Sequence, residues 1–275
     1  MTTEEQAARV GVFDSGVGGL SVLQALLTLL PEEKFDFVAD ERYLPYGDKP
    51  QHEIIERVLS LSNWLRKQGC KAMVVACNTA TAAGASQARA MHANWPIVGI
   101  EPAVKPASLM TQTGVVGILA TTNTVASERF KTLVERFDPL AQVIAQPCPG
   151  LVQLIETTPM PHAEIEVLLK PVVDDLLQKR ADVIVLGCTH YPFVADIISR
   201  LAGPGVSVIE TGMPVARQLK ARLESTNSLN TQLNAESDLD RVRFYTTGDS
   251  VDFKRKLLAL LGPVWAQANV EELMV

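Results

Sequence analysis

Cysteine is scarce in this chain, four residues in 275, and none of the four forms a C-x-x-C pair. Thiol redox motifs and structural zinc sites both draw on such close pairs, so neither is expected. Histidine is as sparse: His52, His92, His162 and His190 lie scattered with no H-x-x-x-H pair, and no metal is expected. Positive charge is in the minority, 25 Lys+Arg against 31 Asp+Glu for a net charge of −6. That balance argues against a surface built to neutralise phosphates, and no nucleic-acid partner is expected. No apolar run approaches the roughly 20 residues that span a bilayer, so no membrane partner is expected either. Met1 to Arg9 is polar and acidic and lacks the apolar core of a signal peptide. The expectation is a cytoplasmic protein whose cysteines are free thiols.

What is present is an ordinary globular composition, 47% hydrophobic and 20% charged, at a length that suits one large or two ordinary domains. Short β-branched runs recur at Val10–Phe13, Phe35–Val38, Ala72–Val75, Val115–Leu119, Val183–Leu186 and Val206–Ile209. They are continuously apolar rather than alternating, which predicts strands buried on both faces of a parallel sheet. Helical patterns lie between them: Leu20–Leu30, stopped by Pro31; His52–Lys67, ended by Gly69; and His162–Lys179, where Pro171 predicts a kink. Alternating β and α units point to an α/β fold. Ser225 to Asp240, poor in apolar residues, reads as an exposed loop.

The chain echoes itself. Lys71 to Thr79 and Ala181 to His190 both run from an apolar strand into a cysteine and then small polar residues, with Cys77 and Cys188 lying 111 positions apart. This reads as two similar halves, each placing a thiol past the carboxyl end of a strand, where open α/β sheets bind ligands. The alternative is a pair of buried cysteines that merely finish strands, since free cysteine is among the most buried residue types. Asn78 and Thr79 follow one thiol, Thr189 and His190 the other. A histidine two residues from a cysteine can orient or deprotonate it, and can equally be a hydrogen-bonded structural residue.

Near the N-terminus, Val12 to Leu20 passes from a strand through Gly16, Gly18 and Gly19 into a helix. The spacing is neither G-x-G-x-x-G nor a Walker motif. The segment suits a small ligand carrying both charges, with Asp14 meeting an ammonium and backbone N–H groups a carboxylate, or a plain turn in which Asp14 or Ser15 caps the helix. By composition Pro45 to Asp48 is a surface turn. Thr121 to Thr124 offers hydroxyls that suit a carboxylate or a cap for a helix near Val125, and Glu156 is an exposed residue closing a short amphipathic stretch. Cys70 and Cys148 read as structural.

Taken together, Phe13–Leu20, Pro45–Gly47, Ala76–Ala80 and Leu186–Pro192 stand in the order and spacing of the glutamate racemases. The resemblance runs from about Val10 to Leu219, and its paired Cys-Asn-Thr and Cys-Thr-His motifs resemble those of the aspartate/glutamate racemase superfamily. It implies two pseudo-symmetric three-layer α/β domains with mostly parallel sheets and the active site between them, one formed by 1–103 plus 213–275 and the other by 104–212. It implies an isomerase that interconverts L- and D-glutamate without a cofactor and supplies D-glutamate for peptidoglycan, and hence for the cell wall and cell shape. Cys77 and Cys188 match the two acid/base residues, with Asp14, His190 and Glu156 assisting them. Asp14, Ser15, Pro45, Tyr46, Gly47, Asn78, Thr79, Thr122, Thr124, Thr189 and His190 match substrate-binding positions, and a homodimer is implied.

The residues agree with that chemistry. Racemisation removes the α-proton on one face and returns one on the other, which needs an acid/base group on each side. Three departures from the family pattern stand out: Glu210-Thr211-Gly212 where an Asp-Ser or Asp-Pro is common, Asn123 where glycine is frequent, and Thr81 where serine is usual. The nearest alternatives are a racemase of aspartate or another small acidic amino acid, and a two-lobed amino-acid-binding protein without catalysis.

Overall fold

Two separate sheets, each with every neighbouring pair of strands parallel, organise the computed structural model, which describes residues 6–137, 140–232 and 237–275. The first sheet contains β1 (Val10–Asp14), β2 (Phe35–Ala39), β3 (Ala72–Val75) and β4 (Ile97–Gly99). The second contains β5 (Val115–Ala120), β6 (Gln142–Pro147), β7 (Val183–Leu186) and β8 (Ser207–Ile209). From the C-terminal part come β9 (Val242–Thr246) and β10 (Val270–Glu272), which extend the first sheet. The strand orders are β10-β9-β2-β1-β3-β4 and β6-β5-β7-β8. Stripped of β9 and β10, the first order is the second repeated, with β1 standing for β5 and β3 for β7. The sequence echo is therefore structural: Cys77 and Cys188 follow corresponding strands.

Each sheet is covered on both faces. On the six-stranded sheet, Val10, Val12, Phe35, Phe37 and Val74 pack against the helices Leu20–Leu29, Gly212–Ser225 and Ser250–Leu261. Phe13, Val38, Met73 and Val75 turn the other way, toward the helices Gln51–Lys67 and Asn78–Met91. The four-stranded sheet has the same two cores, one built with the helix His162–Gln178 and the other around Phe130. Burial on both faces is why these strands read as unbroken apolar runs.

The predicted strands and the three predicted helices form, within a residue or two of their expected ends. The helix His162–Gln178 runs on through Pro171. The structure adds β4, β6, β9 and β10 to the predicted strands. β4 and β10 are three residues each, β6 is a half-exposed edge bounded by Gln142 and Pro147, and Arg243 interrupts β9. The expected exposed loop Ser225–Asp240 is corrected in part. Ser228 and Asn230 are buried, the latter donating from its backbone N to Glu33 Oε1 at 2.8 Å, and a short helix opens at Asp238. Residues 233–236 of that segment, and 1–5 of the N-terminal stretch, lie outside the described residues. Among the described residues no helix is long and apolar enough to cross a membrane.

Candidate active site

In each sheet the chain order reverses between two neighbouring strands, β1 and β3 in one and β5 and β7 in the other. Such switch points leave a crevice at the carboxyl ends of the strands. The four strand ends meeting there supply Ser15, Cys77, Thr121 and Cys188, and the two crevices face each other across one narrow cavity. The turn Pro45–Gly47, together with Asn78, Thr79, Thr189 and His190, completes the polar lining. All four cysteines are buried and free.

Cys77 caps the helix Asn78–Met91: its Sγ accepts from Ala80 N at 3.4 Å and lies 3.7 Å from Ser15 Oγ. A helix start favours negative charge on such a sulfur. Burial, and after it the charge of Asp14, nevertheless push the Cys77 thiol well above its ordinary value. Asp14 lies wholly buried at the end of β1, with its Oδ2 accepting from Gly19 N at 2.7 Å. Burial raises this carboxyl too, opposed by the charge of His190 and the Gly19 N–H.

Cys188 has a different neighbourhood. Its Sγ lies 3.9 Å from His190 Nδ1, and the opposite ring nitrogen, Nε2, stands 2.7 Å from Glu156 Oε1. Burial alone would strip the proton from His190. The bonds to Cys188 and Glu156 and the Glu156 charge reverse that and hold the imidazole well above its ordinary value. Glu156 is likewise driven up by burial. His190, Lys256 and the Val17 N–H together overcome it and hold the carboxyl at about 2. The site therefore contains a buried imidazolium–carboxylate pair behind one thiol and a buried carboxyl beneath the other.

The glycines explain how the halves come this close. A Cβ on Gly16 would stand 2.1 Å from Glu156 Oε1, and one on Gly18 would stand 2.2 Å from His190 Nδ1. The glycine segment thus makes room for two side chains of the opposite half. Two of its N–H groups are already engaged: Val17 N donates to Glu156 Oε1 at 2.9 Å and Gly19 N to Asp14 Oδ2 at 2.7 Å. Asp14 bonds the N–H of Gly19, the residue at the N-cap of the helix Leu20–Leu29, and no side chain caps that helix, so the alternative reading as a cap does not hold.

Other contacts cross between the halves. Ser21 Oγ donates to Thr189 O at 2.8 Å, and Thr79 Oγ1 lies 2.9 Å from Thr121 Oγ1. Thr121 caps a helix that opens at Thr122, earlier than the expected Val125, and it also bonds Thr124 Oγ1 at 2.9 Å. Asn123, one of the departures from the family pattern, donates from Nδ2 to Tyr46 O and to Lys49 O, both at 2.9 Å. Thr81, another departure, donates to Val75 O and accepts from Ile100 N within the first half.

Most of the expected residues converge on the cavity wall. Glu156 is a correction to its composition-based reading: it is buried at the end of the helix Leu151–Ile155, not exposed. Pro45 to Asp48 is corrected as well, since Tyr46 and Gly47 are buried and Tyr46 Oη donates to Asp40 Oδ2 at 2.5 Å. Thr122 is exposed and lines a neighbouring recess with Pro45, Gly47 and Cys148, while Thr124 is buried behind Thr79. Both polar atoms of the buried Asn78 amide are without a partner. Cys70 sits against Asp36, 3.6 Å away, and burial pushes Cys148 up to about 12. Sequence reading missed Asp40, Arg57, Glu41 and Lys256, which stand behind the wall and belong to no local motif. Among the described residues no three His, Cys, Asp or Glu side chains are grouped to hold a metal ion.

Comparison with known proteins agrees with this arrangement. The chain is 48% identical to a glutamate racemase of Pseudomonas syringae pv. tomato over 92% of its own length and 90% of that protein's. The crystal structure of glutamate racemase isoform RacE1 from Bacillus anthracis superposes with a TM-score of 0.87 at 30% identity, covering 98% of both chains. Glutamate racemase from Francisella tularensis, solved in complex with D-glutamate, superposes with a TM-score of 0.82 at 26% identity, again over 98% of each chain. The family model described as Asp/Glu/Hydantoin racemase matches residues 18–219. With two thiols at corresponding strand ends and a family match that includes both of them, the chain belongs to the Asp/Glu/hydantoin racemase family.

Proposed function

We propose that this protein is a glutamate racemase in which Cys77 and Cys188 are the two acid/base groups. The observation that carries the reading is the pair of thiols on the wall of one cavity, each with its own charged support. One thiolate takes the α-proton of glutamate while the thiol across the cavity gives one to the opposite face, and the roles exchange in reverse. Asp14 and Ser15 support Cys77. His190, held by Glu156, presents Nδ1 toward the Cys188 sulfur and compensates negative charge there. The unpartnered Asn78 amide and the hydroxyls of Ser15, Thr79 and Thr189 are the donors for the substrate carboxylates, and so for the charge that grows on one of them as the α-carbanion forms. In this reading the Pro45–Gly47 turn holds substrate directly, supported by its place in the lining, and Thr124 does so indirectly through Thr79.

The reading includes two domains, 1–103 plus 213–275 and 104–212. It is supported by the separate cores and by the helix Gly212–Ser225, which returns to the core of the six-stranded sheet. It also includes a cytoplasmic homodimer, catalysis without a cofactor, and the supply of D-glutamate for peptidoglycan. Light scattering measures the dimer directly. The decisive experiment is incubation with L-glutamate, and separately with L-aspartate, in D₂O with no cofactor added. Inversion of glutamate with deuterium entering Cα is expected. Turnover of aspartate with glutamate left untouched overturns the substrate.

A further inference from the structure

Behind Glu156 stands a residue with no part in the chemistry so far. Lys256 lies on the helix Ser250–Leu261, whose Phe253 and Leu257 are anchored in the core of the six-stranded sheet. Its Nζ is 3.0 Å from Glu156 Oε2, 2.7 Å from Glu41 Oε1 and 3.1 Å from Asp252 Oδ2. The second oxygen of Glu41 accepts from Thr246 Oγ1 at 2.7 Å, which fixes that carboxylate in turn. The side chains are enclosed, with Lys256 12% and Glu156 6% exposed, so the attraction is not screened as it is at a surface.

The two oxygens of Glu156 are thereby divided. Oε1 receives Val17 N and His190 Nε2, while Oε2 meets Lys256. Without the ammonium, Oε2 is a buried carboxylate oxygen facing no cation, and only the Val17 and His190 contacts at Oε1 hold the carboxylate in place and ionised. The charged groups acting on this chain of contacts come from several elements: Glu41, Asp252 and Glu156 on Lys256; His190 and Lys256 on Glu156; Cys188, Glu156 and Asp14 around His190. The Lys256–Glu156 pair also spans the two halves, so it forms only when they are seated with His190 against Gly18.

We propose that Lys256 is a positioning residue for proton transfer at Cys188, acting through the Glu156 carboxylate and the His190 ring without touching substrate or sulfur. The proposal rests on the two-thiol reading above and assigns the helix Ser250–Leu261 a part in one of its two proton transfers. It makes the two sides of the cavity unequal in kind. Cys77 is served by residues of its own half, and Cys188 by a chain of contacts reaching the C-terminal helix.

The test is Lys256→Met, with Lys256→Arg as the conservative variant and the exposed Arg255→Met as a control. Lys256→Met is expected to lower kcat by about tenfold or more with little change in KM, while Lys256→Arg recovers most of the loss. The distinguishing readout is the primary isotope effect with α-deuterated L- and D-glutamate. Slower transfer at Cys188 raises the effect for the enantiomer whose Cα–H bond Cys188 breaks and reduces it for the other; general damage to the fold moves both alike. The proposal is overturned if Lys256→Met stays within twofold of the parent, if the two isotope effects do not diverge, or if Lys256→Arg is no better than Lys256→Met. Should Lys256→Met fail to fold, Lys256→Gln carries the same comparison. A parent that does not racemise glutamate, or a Cys188→Ser variant with near-normal turnover, refutes the two-thiol reading instead.

Discussion

Gly18 and His190 belong to different halves of the molecule, yet a methyl group on the glycine would lie 2.2 Å from His190 Nδ1. The imidazole occupies the space a side chain would need. The same nitrogen is the one that faces Cys188 Sγ at 3.9 Å. A single missing carbon atom in one half therefore sets where the ring that serves the thiol of the other half can sit.

Gly18→Ala is expected to push His190 away from Cys188 and lower kcat by about 100-fold, within the range for losing a positioned acid/base group. Overpacking costs about 1–3 kcal/mol, so the protein stays folded. Steady-state kinetics beside a thermal melt separates the two effects; a variant with parental kcat removes the steric argument.

Cys77→Ser and Cys188→Ser are each expected to lower racemisation by at least about 10³-fold, because a hydroxyl is a far weaker acid than a thiol at neutral pH. Polarimetry reads this directly, and circular dichroism confirms that the fold persists. Cys70→Ser and Cys148→Ser, outside the proposed chemistry, are expected to turn over near the parental rate; a large loss there would extend the chemistry beyond the two thiols.

Glu156→Gln tests the imidazolium. His190 titrates above its ordinary value in the folded protein because its bonds and the Glu156 charge outweigh burial. Without that carboxylate, burial dominates and the ring loses its proton at lower pH, so the alkaline limb of kcat/KM moves down the pH scale. Stability follows the same signs. The His190 contribution is present below its unfolded value of 6.5 and lost as pH rises through the raised folded value. The Glu156 contribution is present above 4.5 and lost as pH falls toward about 2. The pair is intact throughout the neutral range, and urea titrations should show the variant weakest relative to the parent there. An unmoved alkaline limb would separate His190 from the rate.

Asp40→Ala removes the acceptor of Tyr46 Oη and leaves Arg57, which donates to both Asp40 oxygens at 2.9 Å, without its partner. Breaking a buried pair from one side costs about 3–5 kcal/mol. A denaturation midpoint near that of the parent would show that the Asp40 network adds little.

Asn123→Gly restores the residue frequent in the resembling family and deletes two bonds to the Tyr46 turn. At about 1 kcal/mol per bond, KM for glutamate is expected to rise by up to roughly 30-fold with kcat little changed. A fall in kcat at constant KM would place Asn123 in the chemistry instead.

The regular elements buried on both faces were legible because burial leaves a local trace: runs such as Ala72–Val75 and Val183–Leu186 have no polar residue to interrupt them. The edge strands β6 and β10 left a weaker one, being half solvated or only three residues long. The two thiols were legible through the repeated strand-then-cysteine pattern, because strand ends and side chains just beyond them are local geometry. Glu156 was not, since its burial depends on Gly16, 140 positions earlier, and on Lys256, 100 positions later.

By itself the sequence determined the α/β alternation, the doubled half and the two strand-end cysteines, all of which rest on patterns within about ten residues. Only the tertiary structure decided which charges reach each thiol. Asp14 acts on Cys77 while His190, Glu156 and Lys256 line up behind Cys188. The reason is physical: ionisation in a buried site is governed by distance and desolvation, and neither is a property of spacing along the chain.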